Sequence, residues 1–440
     1  MNTNIEHALE ELRMNNRRYA KLERYYRGVH DLSFATEKFQ NAFGSLFREF
    51  AMNLCPAVCD AVQDKLRITE FSVDTGTDQI GANIRRIWHY NRMDQRSGEI
   101  HKEALRNGDA YAIVWPNEKG LASIYPNRAA NIAVQYDEES PGRLLWAAKF
   151  WRTADKRTRI NLFFPDRIEK YVSAKSSESI LPDAKEFVPA GVSQSLPIDH
   201  AARQQELFPE MEKMPPHIVR NPYGIVPAFH FANNSDIGTP GQSELEAAIP
   251  IQDGLNKSVL DMLVAMEFSA YRQRWAAGIE IEYDKEGKTV APFTAGVDKL
   301  WITQDPNARF GDFEAADLEQ FLKVKDSFRI DIASVTGTPL HYLMPQMKGQ
   351  PSGESLKKAE TRFLAKVRDR QESFGQTWAD IIAFALMVEG LGTDIRLHTK
   401  WEDPSPMSDR EVLENILIKK GIGISTEQAL SEAGYGNVDI

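Results

Sequence analysis

The chain has 440 residues, 42% of them hydrophobic and 26% charged, which is ample material for two or three cores because single cores stop growing near ~250 residues. Its net charge of −10 argues against general adhesion to nucleic acid, since binding through phosphates needs clustered Lys and Arg. No apolar run approaches the roughly 20 residues that cross a bilayer, and the polar start MNTNIEHALEELRMNNRR is not a leader, so a cytoplasmic chain without membrane contact is expected.

Residues 1–107 read mostly as helices, with Gly28, Asn91 and Gly108 as stops. The only cysteines, Cys55 and Cys59, share a helical face with Val58, Val62 and Leu66, so they read as small buried hydrophobes with no disulfide or zinc framework. AYAIVW, ASIYP, NIAVQYD, RLLWAAKFW, RINLFF and KYVSA follow as short strands divided by Pro, Asn, Asp or Gly. Helices first and strands afterwards make the fold class α+β, with a mainly antiparallel sheet and no βαβ repeat. Residues 173–217 lack periodicity and read as a long surface excursion.

A helix is expected over 251–275, with Leu255, Val259, Met262, Leu263, Met266 and Trp275 on its apolar positions and a length of about 37 Å. A compact strand-like insert (276–312) and a second helix (about 313–336, with Leu318, Phe321, Leu322, Phe328 and Ile332) complete a stalk with a knob at its end. After the stretch TGTPLHYLMPQMKGQPS, residues 353–390 form one helix about 57 Å long. That length predicts a helix that spans between domains or packs on neighbouring copies. A strand (395–401), a Pro-rich joint and a small helical pair end the chain.

Catalytic motifs fail on their own chemistry. Gly349–Ser355 (GQPSGES) imitates a phosphate loop, but its second Gly comes one residue early and Glu354 stands where Lys is required. Ser355 and Lys358 have the spacing of a serine nucleophile and its base, yet Lys357 and Glu360 mark a solvated helical turn, with Ser352 as N-cap. No HExxH or carboxylate cluster implies a metal, and no cofactor is expected. One basic stripe, Arg13, Arg17, Lys21 and Arg24, occupies one helix face; it reads either as a solvated face or as a contact for an acidic partner or nucleic acid.

Several stretches converge on a family. YYRGVHDL, NLCPAVCDAVQDKLRITEF, ALRNGDAYAIVW, NPYGIVPAFHFANN, GQSELEAAIPIQDGLNKSVLDMLVAMEFSAYRQRW and PSGESLKKAETRFLAKVRDRQESFGQTW, in that order, resemble portal proteins of tailed bacteriophages, in the compact branch of the long-tailed phages. The resemblance implies a ring, usually of twelve copies, at one capsid vertex, through which double-stranded DNA is packaged and ejected. It implies a wing (1–240), a stem helix (241–275), a clip (276–312), a second stem helix (313–336), a tunnel loop (337–352), a long wing helix (353–390), a wing return strand (391–405) and a small crown (406–440). In the tunnel loop Met344, Gln346, Met347, Lys348 and Gln350 would face DNA, with Lys348 the only formal charge. On the clip Glu280, Glu282, Tyr283, Lys285, Lys288, Asp298 and Lys299 would form the docking surface. The implied partners are further copies of the chain, the terminase large subunit, a head-tail adaptor, the major capsid protein and scaffold. The chain itself would not be an enzyme, because the motor is a separate terminase. A different head or connector protein, or a translocating ring enzyme, is the alternative. Segments 243–275 and 313–336 each carry five acidic and three basic residues, and 276–312 seven and four, an acidity that would discourage DNA from sticking.

Overall fold

The computed structural model describes residues 3–31, 41, 52–74, 78–140, 142–176, 181–190, 215–236, 240–270, 274–278, 282–283, 286, 289–290, 306–312, 318–344, 353–393, 395–405, 409–426 and 429–430. Among the described residues, helices α1 (Thr3–Tyr26), α2 (Cys55–Gln63), α3 (Asp78–Tyr90) and α4 (Met93–Asn107) lie before the main sheets, with strand β1 (Ile68–Val73) between α2 and α3. Gly28 and Gly108 follow α1 and α4 with φ of 81° and 91°, a left-handed conformation that excludes most side chains.

Nine strands follow: β2 (Asp109–Pro116), β3 (Ala122–Arg128), β4 (Ile132–Tyr136), β5 (Leu144–Arg152), β6 (Thr158–Phe163), β7 (Arg167–Ser173), β8 (Phe187–Pro189), β9 (Ile218–Arg220) and β10 (Ala228–Ala232). They form two antiparallel sheets, one ordered β10-β2-β3 and one ordered β4-β5-β6-β7-β8 with β9 also on β7. The supposed excursion at 173–217 therefore returns to the sheet through β8, and β9 pairs with β7 directly after it. Three-residue strands are too short to show the alternation that reveals longer ones.

The second half holds α5 (Ile249–Ala270), the strand pairs β11 (Arg274–Ala277) with β14 (Arg309–Asp312) and β12 (Glu282–Tyr283) with β13 (Thr289–Val290), then α6 (Glu319–Thr336) and α7 (Leu340–Leu343). Helix α8 (Gly353–Val388), strand β15 (Leu397–Trp401) and helix α9 (Asp409–Gly421) end the described chain. Trp275, expected to end a helix, instead sits in β11 opposite Gly311. A Cβ on Gly311 would lie 2.7 Å from the Trp275 ring, so the missing side chain is what lets the indole lie across the pair.

The largest core is built around α8. Phe363, Val367, Phe374, Trp378, Ile381, Ile382, Ala385 and Leu386 are each 1% exposed or less, and they meet α2, α3, α4, β2 and the return strand β15, which pairs with β1. Each fully buried side chain of this size contributes ~1.5–3 kcal/mol. From Phe363 to Leu386 the apolar stripe of α8 is thus satisfied within its own chain. Two smaller clusters flank the six-stranded sheet. One lies under Leu9 and Leu12 of α1, and the other lies between the two sheets around Tyr111, Ala147 and Phe163. Cys55 and Cys59 are buried and free, and burial pushes the Cys55 thiol up to about 12.

Candidate functional site

The α5–α6 hairpin joins the body through buried polar contacts. Tyr25 at the end of α1 donates to Asp253 at 2.8 Å, and Gln252 bonds both the Met52 carbonyl (2.6 Å) and the Leu54 N–H (3.0 Å). His30 bonds the Tyr25 carbonyl through Nε2 (3.0 Å) and the Asn256 amide through Nδ1 (2.6 Å). A carbonyl only accepts, so Nε2 carries the proton and Nδ1 accepts from Asn256. Burial pushes the His30 imidazole towards its neutral form, which suits that pattern. Within the hairpin, a Cβ on Gly254 would come 2.9 Å from the Phe328 ring, so this glycine allows α5 and α6 to approach closely.

The opposite root is ionic. Glu244, in the run leading into α5, accepts from Arg370 at 3.2 and 3.3 Å, from Asn233 at 3.2 Å, and pairs with Lys366. Burial alone would raise the Glu244 carboxyl, but Lys366 and Arg370 hold it below the usual carboxylate range. Those two cations are four residues apart and share one face of α8. Lys366 also donates to the Thr336 carbonyl at 2.9 Å, which satisfies an orphan acceptor at the negative end of α6. Gly337 then ends α6 at φ 67°. Beside the joint opens a cleft of about 390 Å³ with Asn234, Gln242, Glu246, Arg362 and Asp369 in its wall. One lysine thus ties the root of α5, the end of α6 and α8 together.

A second hub lies where α1 meets the sheets. Asp109, fully buried, accepts from Arg18 and Tyr19 (2.8 Å each), from His230 Nε2 (2.9 Å) and from the Gly241 N–H (2.8 Å). Burial opposes its charge, but His230, Tyr19 and Gly241 hold its carboxyl below the ordinary value. Gly108 and Gly241 touch here: a Cβ on Gly241 would stand 1.9 Å from the Gly108 carbonyl oxygen.

Of the loop residues singled out from sequence, Met344 is the last described residue after α7, and Gln346, Met347, Lys348 and Gln350 lie outside the described residues. Of the insert residues, Glu282 and Tyr283 lie on β12, while Glu280, Lys285, Lys288, Asp298 and Lys299 also lie outside them. Ser355 and Lys358 fall in α8. The stripe on α1 is largely engaged: Arg13 pairs with Asp183 at 3.1 Å, Arg24 with Asp31 at 2.9 Å, and Lys21 sits over the Tyr25 ring at 5.7 Å. Arg17 lines an open groove with Glu6 and Glu10. Sequence reasoning missed Glu244, Lys366, Arg370, Asp109 and His230. Only the helical spacing of Lys366 and Arg370 could have signalled them. Among the described residues no group of three or more His, Cys, Asp or Glu is placed to hold a metal, and no helix is long and apolar enough to cross a membrane.

A sheet-bearing α+β body that carries a helical hairpin and is built around one long helix is the class these elements define. The chain belongs to the phage portal protein family of the SPP1 Gp6-like type, whose family model matches residues 5–434. It is 29% identical over 192 residues to the portal protein of Mycobacterium phage L5, covering 41% of this chain and 39% of that protein. With the portal protein of Mycobacterium phage D29 it shares 29% over 225 residues, 48% of this chain and 46% of the other. The matches thus span less than half the length of these relatives. Among solved structures, chains from the neck of an empty gene transfer agent particle (12% identity, TM-score 0.46) and of a native one (13%, TM-score 0.47) overlay loosely, each over 90% of this chain and 92% of theirs.

Proposed function

We propose that the chain assembles as a ring, of twelve copies, at one vertex of a phage capsid, where it is the channel for DNA packaging and ejection. The carrying observation is the family match from residue 5 to residue 434. In this reading residues 1–240 with 353–405 form the wing, α5 and α6 the stem, 276–312 the clip, 337–352 the tunnel loop and 406–440 a small crown. The joint of Glu244, Lys366 and the Thr336 carbonyl would transmit load between stem and wing, because a buried, fully bonded ion cluster resists the sliding of its parts. The clip would dock the terminase large subunit and a head-tail adaptor, and the wing would meet capsid protein and scaffold. The chain would act without catalysis: its one phosphate-loop imitation carries Glu354 in place of the cation that binding needs. Electron microscopy of the purified chain tests the reading. Rings with a central channel and no ATP hydrolysis are expected; monomers or shells would overturn it.

A further inference from the structure

One face of the six-stranded sheet is divided in two. Its inner half, with Ile132, Val134, Ala147, Phe163 and Ile168, packs in the cluster between the sheets. The same face continues along the strands into polar rows. Lys149 of β5 stands opposite Asn161 of β6, which stands opposite Lys170 of β7. In the next row Trp151, Arg159 and Val172 stand side by side in the same way. Directly opposite residues on antiparallel strands point to the same side, and strands lie about 4.8 Å apart, so the two lysines flank Asn161 at a separation of about 10 Å.

These cations are not neutralised locally. Among the described residues no carboxylate pairs with Lys149, Arg159 or Lys170, and the Arg159 Nε is buried without a hydrogen-bond partner. Lys149 lies over the Trp151 ring at 5.7 Å. Burial holds the Lys149 and Lys170 amines below their ordinary range, and for Lys170 the charge of Arg159 adds to the effect. Arg159 and Lys170, like charges on neighbouring strands and both half-buried, repel one another. Residues 149–170 carry seven basic side chains against three acidic ones, although the whole chain has net charge −10. The α1 stripe, by contrast, has its acids beside it.

We propose that this sheet face, centred on Lys149, Arg159 and Lys170, is a binding site for the phosphate backbone of a nucleic acid. The forked guanidinium of Arg159 matches a phosphate in two-point contact, with the lysines as point charges on either side. Trp151, at the end of the Arg159 row, offers a ring for a base or sugar, a feature that binding to an acidic peptide does not require. The inference draws on the proposed channel role only in choosing nucleic acid as the polyanion. The binding measurement needs neither a ring nor packaging, so the two readings can fail separately.

The test is fluorescence anisotropy of the full chain with labelled duplex and single-stranded oligonucleotides between about 50 and 200 mM NaCl. Removing one cation–phosphate pair should reduce the affinity change across that range by about threefold. Lys149→Gln, Arg159→Gln and Lys170→Gln should each flatten the salt dependence by about one such pair, while Lys119→Gln in the distant β2–β3 turn should not. The charge-keeping Lys149→Arg and Lys170→Arg should retain the wild-type slope, which separates loss of the charge from loss of the fold. Wild-type affinity and salt slope in all three single Gln variants would overturn the proposal. So would binding of a polyglutamate peptide in place of both nucleic acids, which would give the face to an acidic protein.

Discussion

At the scale of single residues, Asp109 carries the heaviest polar load. Its two oxygens accept four bonds from α1, β10 and the run before α5, so its removal leaves the buried Tyr19 hydroxyl and His230 ring without their acceptor and strips Arg18 of its nearer carboxylate, with only Glu246 left at 3.8 Å. Asp109→Ala should therefore destabilise the chain by about 3–5 kcal/mol, read as a lower urea midpoint with unchanged slope. A change under about 1 kcal/mol would mean that the hub is incidental. Glu11 behaves in the opposite sense. Burial pushes its carboxyl from an ordinary 4.5 up to about 7, against a hydrogen bond from the Val134 backbone. Between those values the folded chain holds a proton that the unfolded chain has lost, so stability falls as pH rises through this window. Glu11→Gln should accordingly raise stability by about 1–3 kcal/mol at pH 8 and have almost no effect near pH 4. Equal urea midpoint shifts at both pH values would refute this account.

At the scale of elements, periodic patterns were legible and partners were not. The sevens, fours and threes of Phe363, Phe374, Trp378 and Ile381 marked one long helix, and the helix is there. What covers its stripe was not legible, because periodicity reports a face and not the surface it meets. β8 and β9 escaped for want of length, and Trp275 was assigned to a helix because an apolar residue fits either period over one turn. The Glu244 joint was invisible for a further reason: a buried ion cluster needs three segments distant in sequence, and each of its charges reads locally as a solvated side chain. The family resemblance, by contrast, could be read from ordered stretches spread over most of the chain. The segment between Met344 and α8 can be tested as an element. Its anchors are described residues: α7 packs Tyr342 against Phe363 at a ring distance of 5.8 Å, and Lys366 caps α6. Deleting residues 344–350 should leave those anchors and ring assembly intact while impairing DNA packaging or retention in an infection assay. Absence of rings in the deletion variant would show that the segment is structural instead.

At the scale of the whole molecule, the proposed docking platform lies apart from the residues that hold the fold together. Among the described residues, none between 271 and 312 belongs to the three hydrophobic clusters; the hairpin contributes to them only near its root, through Ile249, Ile251, Leu255, Val259, Phe328, Ile332 and Ala333. The insert enters and leaves through β11 and β14, where Ala277 faces Arg309, so its ends already lie side by side. A short linker can close that gap without strain, because closure entropy grows only slowly with loop length. Replacing residues 280–306 with a short Gly-Ser linker should therefore leave the melting temperature and the ring within error of wild type. The acidic character of the stem would also be untouched, so passage of DNA past it should not be altered by charge. What should disappear is binding of terminase or adaptor, measured by co-sedimentation with purified rings. Retained docking would move the platform elsewhere on the chain. The apolar row on α9 is the first place to look, since Leu413, Leu417 and Ile418 on the helix and Ile422 just after it are 55–74% exposed, and a contiguous apolar patch of that kind marks an interaction surface.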